Sequence, residues 1–213
     1  MTKEEIKSLG IEDLITRDPM HDPKYSLIEG RILHRTKGYL LPQDEPFYLL
    51  RGNDPFAVTM AGFYNKVLAG EEPTQITLGH MDTSSERVET FKRYQEENPS
   101  LVGRLYPEEG CECIVEPPFY LGCPEDIEQN PEWLPWSFRV FHRDMNFFVP
   151  DTEPLMIFRG KDQVLVVIMQ QHLDFVTRNS FMYQQAEKVA EYIQKQIDSV
   201  LKFQLDNPTR TGA

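Results

Sequence analysis

Two short basic clusters hold the residue types best suited to chemistry in this chain. His34-Arg35 is followed at Arg51 by a second guanidinium, and His142-Arg143 is followed at Arg159 by another. Histidine exchanges protons near neutral pH, and arginine grips carboxylates and phosphates through charge-assisted, often bidentate hydrogen bonds. Brought together, His34, Arg35, Arg51, His142, Arg143 and Arg159 would form a pocket for a small anionic ligand. Acting instead as acid and base on a phosphoester, His34 or His142 would make the chain a hydrolase. His34-Arg35-Thr36 matches half of an H-x-T pair, but Asp144 stands in the threonine's place in the second cluster. His142-Arg143-Asp144 lacks the Asn, the glycine-rich loop and the Asp-Phe-Gly that kinase-type phosphoryl transfer requires. A regular strand also sends His34 and Arg35 to opposite faces.

The sulfur and imidazole groups elsewhere give weaker signals. Cys111, Cys113 and Cys123 could supply three thiolates to zinc, the cofactor their number suggests, yet they lack the paired C-x-x-C spacing of a zinc knuckle. Inert, partly buried thiols are the expectation. His80-Met81-Asp82 and His172-Leu173-Asp174 also pair metal-ligand types. His172, however, falls on an apolar helical stripe with Val164, Ile168 and Phe175, which predicts a packed core histidine.

The two basic clusters belong to a repeat. Laying residue 31 on residue 139, a spacing of 108, aligns 24 positions without a gap, and nine are identical: arginine at 31/139, His34/His142, Arg35/Arg143, Pro42/Pro150, Glu45/Glu153, Pro46/Pro154, Arg51/Arg159, Gly52/Gly160 and Asp54/Asp162. Non-identical positions exchange like for like, as Leu49/Ile157 does, so a buried face is kept. Downstream, Glu86–Phe91 resembles Glu187–Tyr192 at a shorter spacing of 101. Repeat architecture frames every later inference about the fold.

Each copy spells the same elements. Arg-apolar-apolar-His-Arg reads as a strand, Glu-Pro opens a second, buried strand, and Arg-Gly breaks it. Asp54 and Asp162 then sit where a helix N-cap belongs, with Pro55 at the first helical position. A first helix carries Phe56, Met60, Phe63, Tyr64 and Val67 on one stripe, and a second follows near Ser84–Glu97 in one copy and Phe181–Phe203 in the other. The expected fold class is α+β, two β-β-α-α units packed with pseudo-two-fold symmetry. The expected division is a helical lead-in over 1–25, unit one over 26–97, an insert over 98–133, unit two over 134–205 and a tail over 206–213. Within each unit, Arg51 is expected to brace its own Glu45 or a helix C-terminus, and Arg159 likewise.

The insert concentrates charge, with eight acids against one base, Arg104, six prolines and all three cysteines. It reads as a solvated linker or a docking surface for a basic partner. Across the chain, 34 acids outnumber 22 bases for a net charge of −12, which argues against a broad nucleic-acid surface. No apolar run approaches the roughly 20 residues a membrane span needs, and the opening residues do not read as a secretory signal. A cytoplasmic location is the expectation. With 40% hydrophobic residues the chain can bury a substantial core. These readings favour a non-enzymatic binding or interaction protein, acting on a basic protein surface or a small anion, compatible with a homo-oligomer. The phosphoester hydrolase is the alternative.

Overall fold

The computed structural model of the chain describes residues 25–28, 31–34, 39–42, 44–69, 75–104, 133–136, 139–142, 147–150 and 152–211. The chain is mixed α+β, and strands precede helices twice. The first series is β1 (Tyr25–Ile28), β2 (Arg31–His34), β3 (Tyr39–Leu40), β4 (Phe47–Arg51), α1 (Ala57–Ala69) and α2 (Gln75–Glu97). The second is β5 (Trp133–Trp136), β6 (Arg139–His142), β7 (Phe147–Phe148), β8 (Leu155–Arg159), α3 (Leu165–Arg178) and α4 (Ala186–Asp206). The sequence patterns anticipate two strands per series; β1, β3, β5 and β7 add short antiparallel partners on either side of β2 and β6. Phe181, expected inside the last helix, lies instead in a 3₁₀ turn, Ser180–Met182, that precedes it. Among the described residues, no helix is long and apolar enough to cross a membrane.

The centre of the molecule is the antiparallel ladder of β4 and β8. Its register sets Phe47 opposite Arg159, Leu49 opposite Ile157 and Arg51 opposite Leu155. Successive side chains leave a strand on opposite faces, so the ladder serves two cores. Tyr48, Leu50, Met156 and Phe158 face the helices and pack with Met60, Phe91, Ile168 and Val200. Phe47, Leu49, Leu155 and Ile157 face the other way and pack with Ile32, Leu41 and Val149. Burial on both sides explains why each strand reads as a continuous apolar run rather than an alternating one.

Hydrogen bonds made around β4 recur around β8. Gly52 N–H donates to the Pro154 carbonyl (2.8 Å), and Gly160 N–H donates to the Pro46 carbonyl (2.7 Å). Each glycine also lies under the opposing proline ring, where a Cβ would sit 2.7 Å from Pro154 Cγ at residue 52 and 2.6 Å from Pro46 Cγ at residue 160. The Glu-Pro and Arg-Gly motifs are therefore two halves of one contact, each Pro covering the other strand's Gly.

The turns ahead of the helices are also alike: Asp54 Oδ1 accepts the Phe56 N–H (2.8 Å) and Asp162 Oδ1 accepts the Val164 N–H (3.1 Å). The expected N-cap at Asp162 is corrected, because the helix starts later and Val164 is its N-cap. The helices proper begin two residues later than the sequence suggests, so Pro55 lies in the lead-in rather than at the first helical position. Gln95 Nε2 reaches back from the end of α2 to the Gly52 and Asp54 carbonyls, and Gln204 Nε2 from the end of α4 to those of Gly160 and Asp162. Each helix pair is thus an antiparallel hairpin tied to its own Arg-Gly-x-Asp turn. Asn98 and Asn207 likewise bond the Tyr94 and Phe203 carbonyls. These matched contacts are 109 residues apart, eight more than the spacing of 101 drawn from the sequence.

Candidate functional site

Arg51 and Arg159 end β4 and β8, and the antiparallel register places them at opposite ends of the ladder. They are not brought together. Arg51 Nε and Nη2 donate to Glu153 Oε1 (2.9 Å) and Oε2 (2.7 Å), while Arg159 Nε donates to Glu45 Oε1 (2.7 Å) and Nη2 to Glu45 Oε2. Arg159 also donates to the Tyr39 hydroxyl, and Glu153 Oε1 accepts the Asn53 N–H (3.3 Å). The expected pairing of each arginine with the glutamate of its own strand series is corrected: Arg51 takes Glu153 and Arg159 takes Glu45. The reason is geometric: six residues of extended chain separate Arg51 from its own Glu45 by about 20 Å, whereas the antiparallel partner delivers Glu153 beside it.

His34 is buried, its ring 5.3 Å from that of Tyr39 at a 41° tilt. His142 occupies β6 opposite Trp133 and Phe147 in the strand register. Arg35, Arg143, Cys111, Cys113 and Cys123 lie outside the described residues. Among the described residues no cluster of three or more His, Cys, Asp and Glu could hold a metal ion.

The polar site that the structure does assemble centres on His172. It is buried, as its place on the α3 stripe predicts, but both ring nitrogens are engaged. Nε2 lies 2.9 Å from Asp54 Oδ2, and Nδ1 bonds the Tyr48 hydroxyl. The Tyr183 hydroxyl donates to Asp54 Oδ1 (2.9 Å) and lies 3.3 Å from Nε2. Phe56, itself stacked on Phe175 with centroids 4.0 Å apart, covers the imidazole at 5.8 Å. On the other side of the ladder Tyr64, 108 residues before His172, donates to Asp162 Oδ2 (3.1 Å) and meets Phe158 edge-on.

Electrostatics separate the roles of these groups. Burial works to raise the pKa of Asp54, but the electrostatic attraction and hydrogen bond of the neighbouring His172, the Phe56 N–H and the Tyr183 hydroxyl together hold it below the ordinary carboxylate value. Burial pushes the Tyr183 phenol far above its usual value, reinforced by the charge and hydrogen bond of Asp54 and by Tyr48. Tyr183 is therefore a phenol donor and Asp54 an ionised acceptor at neutral pH.

This network borders open space. A chamber of about 60 Å³ touches Tyr48, Arg51, Asn53, Asp54, His172 and Tyr183. Beyond Tyr183 a cleft of about 540 Å³ opens between Val102–Arg104 and Phe181–Gln184. Gly103, Arg104 and Tyr183 border both. Phe181 is 84% exposed on the cleft wall. The two walls are fastened by Gly103: its N–H donates to the Asn53 carbonyl (2.8 Å), and its carbonyl accepts the Gln184 N–H (2.9 Å). Gly103 has φ +77°, and a Cβ there would lie 2.0 Å from the Met182 carbonyl oxygen. Gly103→Ala is expected to cost at least about 2 kcal/mol, since left-handed strain of roughly 1–3 kcal/mol adds to a backbone clash. A urea midpoint equal to that of the wild type would refute the fastening role.

No protein-family model, no curated protein and no solved structure matches this chain. Sequence reasoning identified Asp54 as a cap and His172 as a core residue but did not join them. Its available signal was that Tyr64 and His172, both polar-tipped, occupy the same position on two apolar stripes.

Proposed function

We propose that the chain is a non-enzymatic binding protein, built of two duplicated units about a pseudo-two-fold axis, that takes a small anionic ligand with an apolar body in the cleft beside Tyr183. The duplication is supported by the reciprocal contacts: Arg51–Glu153 with Arg159–Glu45, the two Gly–Pro bonds, and the two Gln-to-turn bonds. Each is made once from either side of the β4–β8 ladder, as in a two-fold interface where residue i meets j and j meets i. The pocket foreseen from Arg51 and Arg159 is instead occupied by Glu153 and Glu45.

The composition of the cleft carries this reading. Arg104 offers a guanidinium at an exposed rim, Phe181, Met182 and Val102 offer apolar surface, and Gln184 adds an amide. The described lining residues include no carboxylate, histidine or thiol, and the Tyr183 phenol is held protonated. That set is suited to bind and orient an anion with an apolar body.

Phenyl phosphate serves as the probe in isothermal titration calorimetry. Saturable one-to-one binding is expected, with inorganic phosphate weaker because it lacks the apolar body. Arg104→Ala should weaken phenyl phosphate by about tenfold or more, since a hydrogen bond to a charged group contributes roughly 1.5–3 kcal/mol. Phe181→Ser should weaken phenyl phosphate and leave inorganic phosphate unchanged. Equal affinity for both variants, or no binding to the wild type, rules the cleft out.

A further inference from the structure

The two helix hairpins have the same scaffold but not the same outer face. Exposed on the second are Val167 (50%), Leu201 (41%) and Leu205 (79%). The spacing of 108 for α1 and α3, and of 109 for α2 and α4, places Thr59, Lys92 and Glu96 at the corresponding positions of the first hairpin, and all three are exposed. The architecture thus tolerates polar side chains there. The apolar trio is not a packing requirement.

The three residues share one end of the hairpin. Gln204 bonds the Gly160 and Asp162 carbonyls just ahead of α3, which sets the last turns of α4 beside the first turn of α3, where Val167 lies. Leu201 and Leu205, four residues apart, line one face of α4. Asp198 and Asp206 flank them, with Lys202 the basic neighbour. We propose that this α3–α4 face docks a basic amphipathic helix of a partner protein. Apolar anchors at i and i+4 suit a helix laid against them, and the acidic flank selects lysines or arginines beside the partner's apolar stripe. A second copy of the chain is the poorer occupant, because it brings another net charge of −12 to the contact.

The probe is a Leu/Lys peptide of roughly 18 residues, long enough to hold a helix, with leucines at helical spacing. The control peptide has the same composition in scrambled order. The decisive variant is Leu201→Lys/Leu205→Glu, which writes the first hairpin's residues onto the second and leaves the net charge of the chain unaltered. The full-length protein should bind the patterned peptide at least about tenfold more tightly than the scrambled one, and the double variant should lose that margin. Binding of phenyl phosphate should be the same in both proteins, which separates this face from the cleft. Equal binding of the two peptides, or retention of the margin in the double variant, overturns the proposal. So does sedimentation showing that the wild type dimerises through Leu201 and Leu205, because a second copy would then be the occupant.

Discussion

Glu153→Leu is expected to destabilise the fold by about 3–5 kcal/mol, because it strands the Arg51 guanidinium in a buried site without its carboxylate. Arg51 is 7% exposed and Glu153 1%, so water cannot replace the lost partner. Against a total stability of roughly 5–15 kcal/mol for a chain of this kind, the loss would lower the melting temperature by roughly 6–20 °C. The companion variant Arg51→Met/Glu153→Leu removes both charges and should recover most of the loss, since a buried ion pair exchanged for apolar groups of similar size is often neutral or better. A double variant as unstable as the single one would mean that shape, not charge, governs the site. Solvent contact decides the contrast with Arg210–Asp44, whose side chains are 36% and 59% exposed. Asp44→Asn should cost no more than about 1 kcal/mol. Urea denaturation monitored by circular dichroism measures all three.

What the sequence revealed and what it concealed divide along the distance between interacting residues. Strands at Arg31–His34 and Phe47–Arg51, and the helices that follow Asp54 and Asp162, rest on local pattern: apolar runs, a breaking glycine, a side chain that accepts the next free N–H. The β4–β8 ladder rests on a register between residues more than 100 positions apart, and nothing in either strand alone states it. Arg51 could therefore be assigned an acid of the right motif, Glu45, rather than Glu153, which the ladder delivers. The difference between the downstream spacing of the sequence pattern and that of the polar contacts has a similar cause. The spacings 101 and 109 differ by eight residues, close to two helical turns, and positions i and i+8 lie on the same apolar stripe. Hydrophobic pattern cannot separate the two. Polar contacts can, because Gln95 and Gln204 each reach a fixed turn, as do the Asn98 and Asn207 caps.

The Asp54–His172 pair gives the second large effect, and it depends on pH. His172→Ala is expected to cost about 3–5 kcal/mol at neutral pH, because it opens a cavity and deprives the partly buried Asp54 carboxylate and the Tyr48 hydroxyl of a shared partner. Asp54→Asn isolates the charge, since the amide keeps an oxygen for the Phe56 N–H and the Tyr183 hydroxyl. Asp54 has a folded-state pKa below its ordinary value of 3.8, so its ionised form stabilises the native state. That contribution is fully present above the unfolded pKa and is lost as pH falls through the folded one. The stability gap between wild type and Asp54→Asn should therefore shrink as pH falls below about 4. Other carboxylates titrate in that range in both proteins, so it is the gap, not either curve, that reports on Asp54. A gap that stays constant through the acid range would show that the carboxylate charge contributes nothing and that His172 serves the core by shape alone. Tyr64 supplies the comparison within the same molecule: Tyr64→Phe removes a single hydroxyl from Asp162 and should cost roughly 0.5–1.5 kcal/mol, or up to about 3 kcal/mol if the acceptor is fully charged and dry. If both losses were equal, the histidine would be a tyrosine by another name; a larger loss at His172 marks that side of the ladder, next to the cleft, as the one where charge has been built into the core.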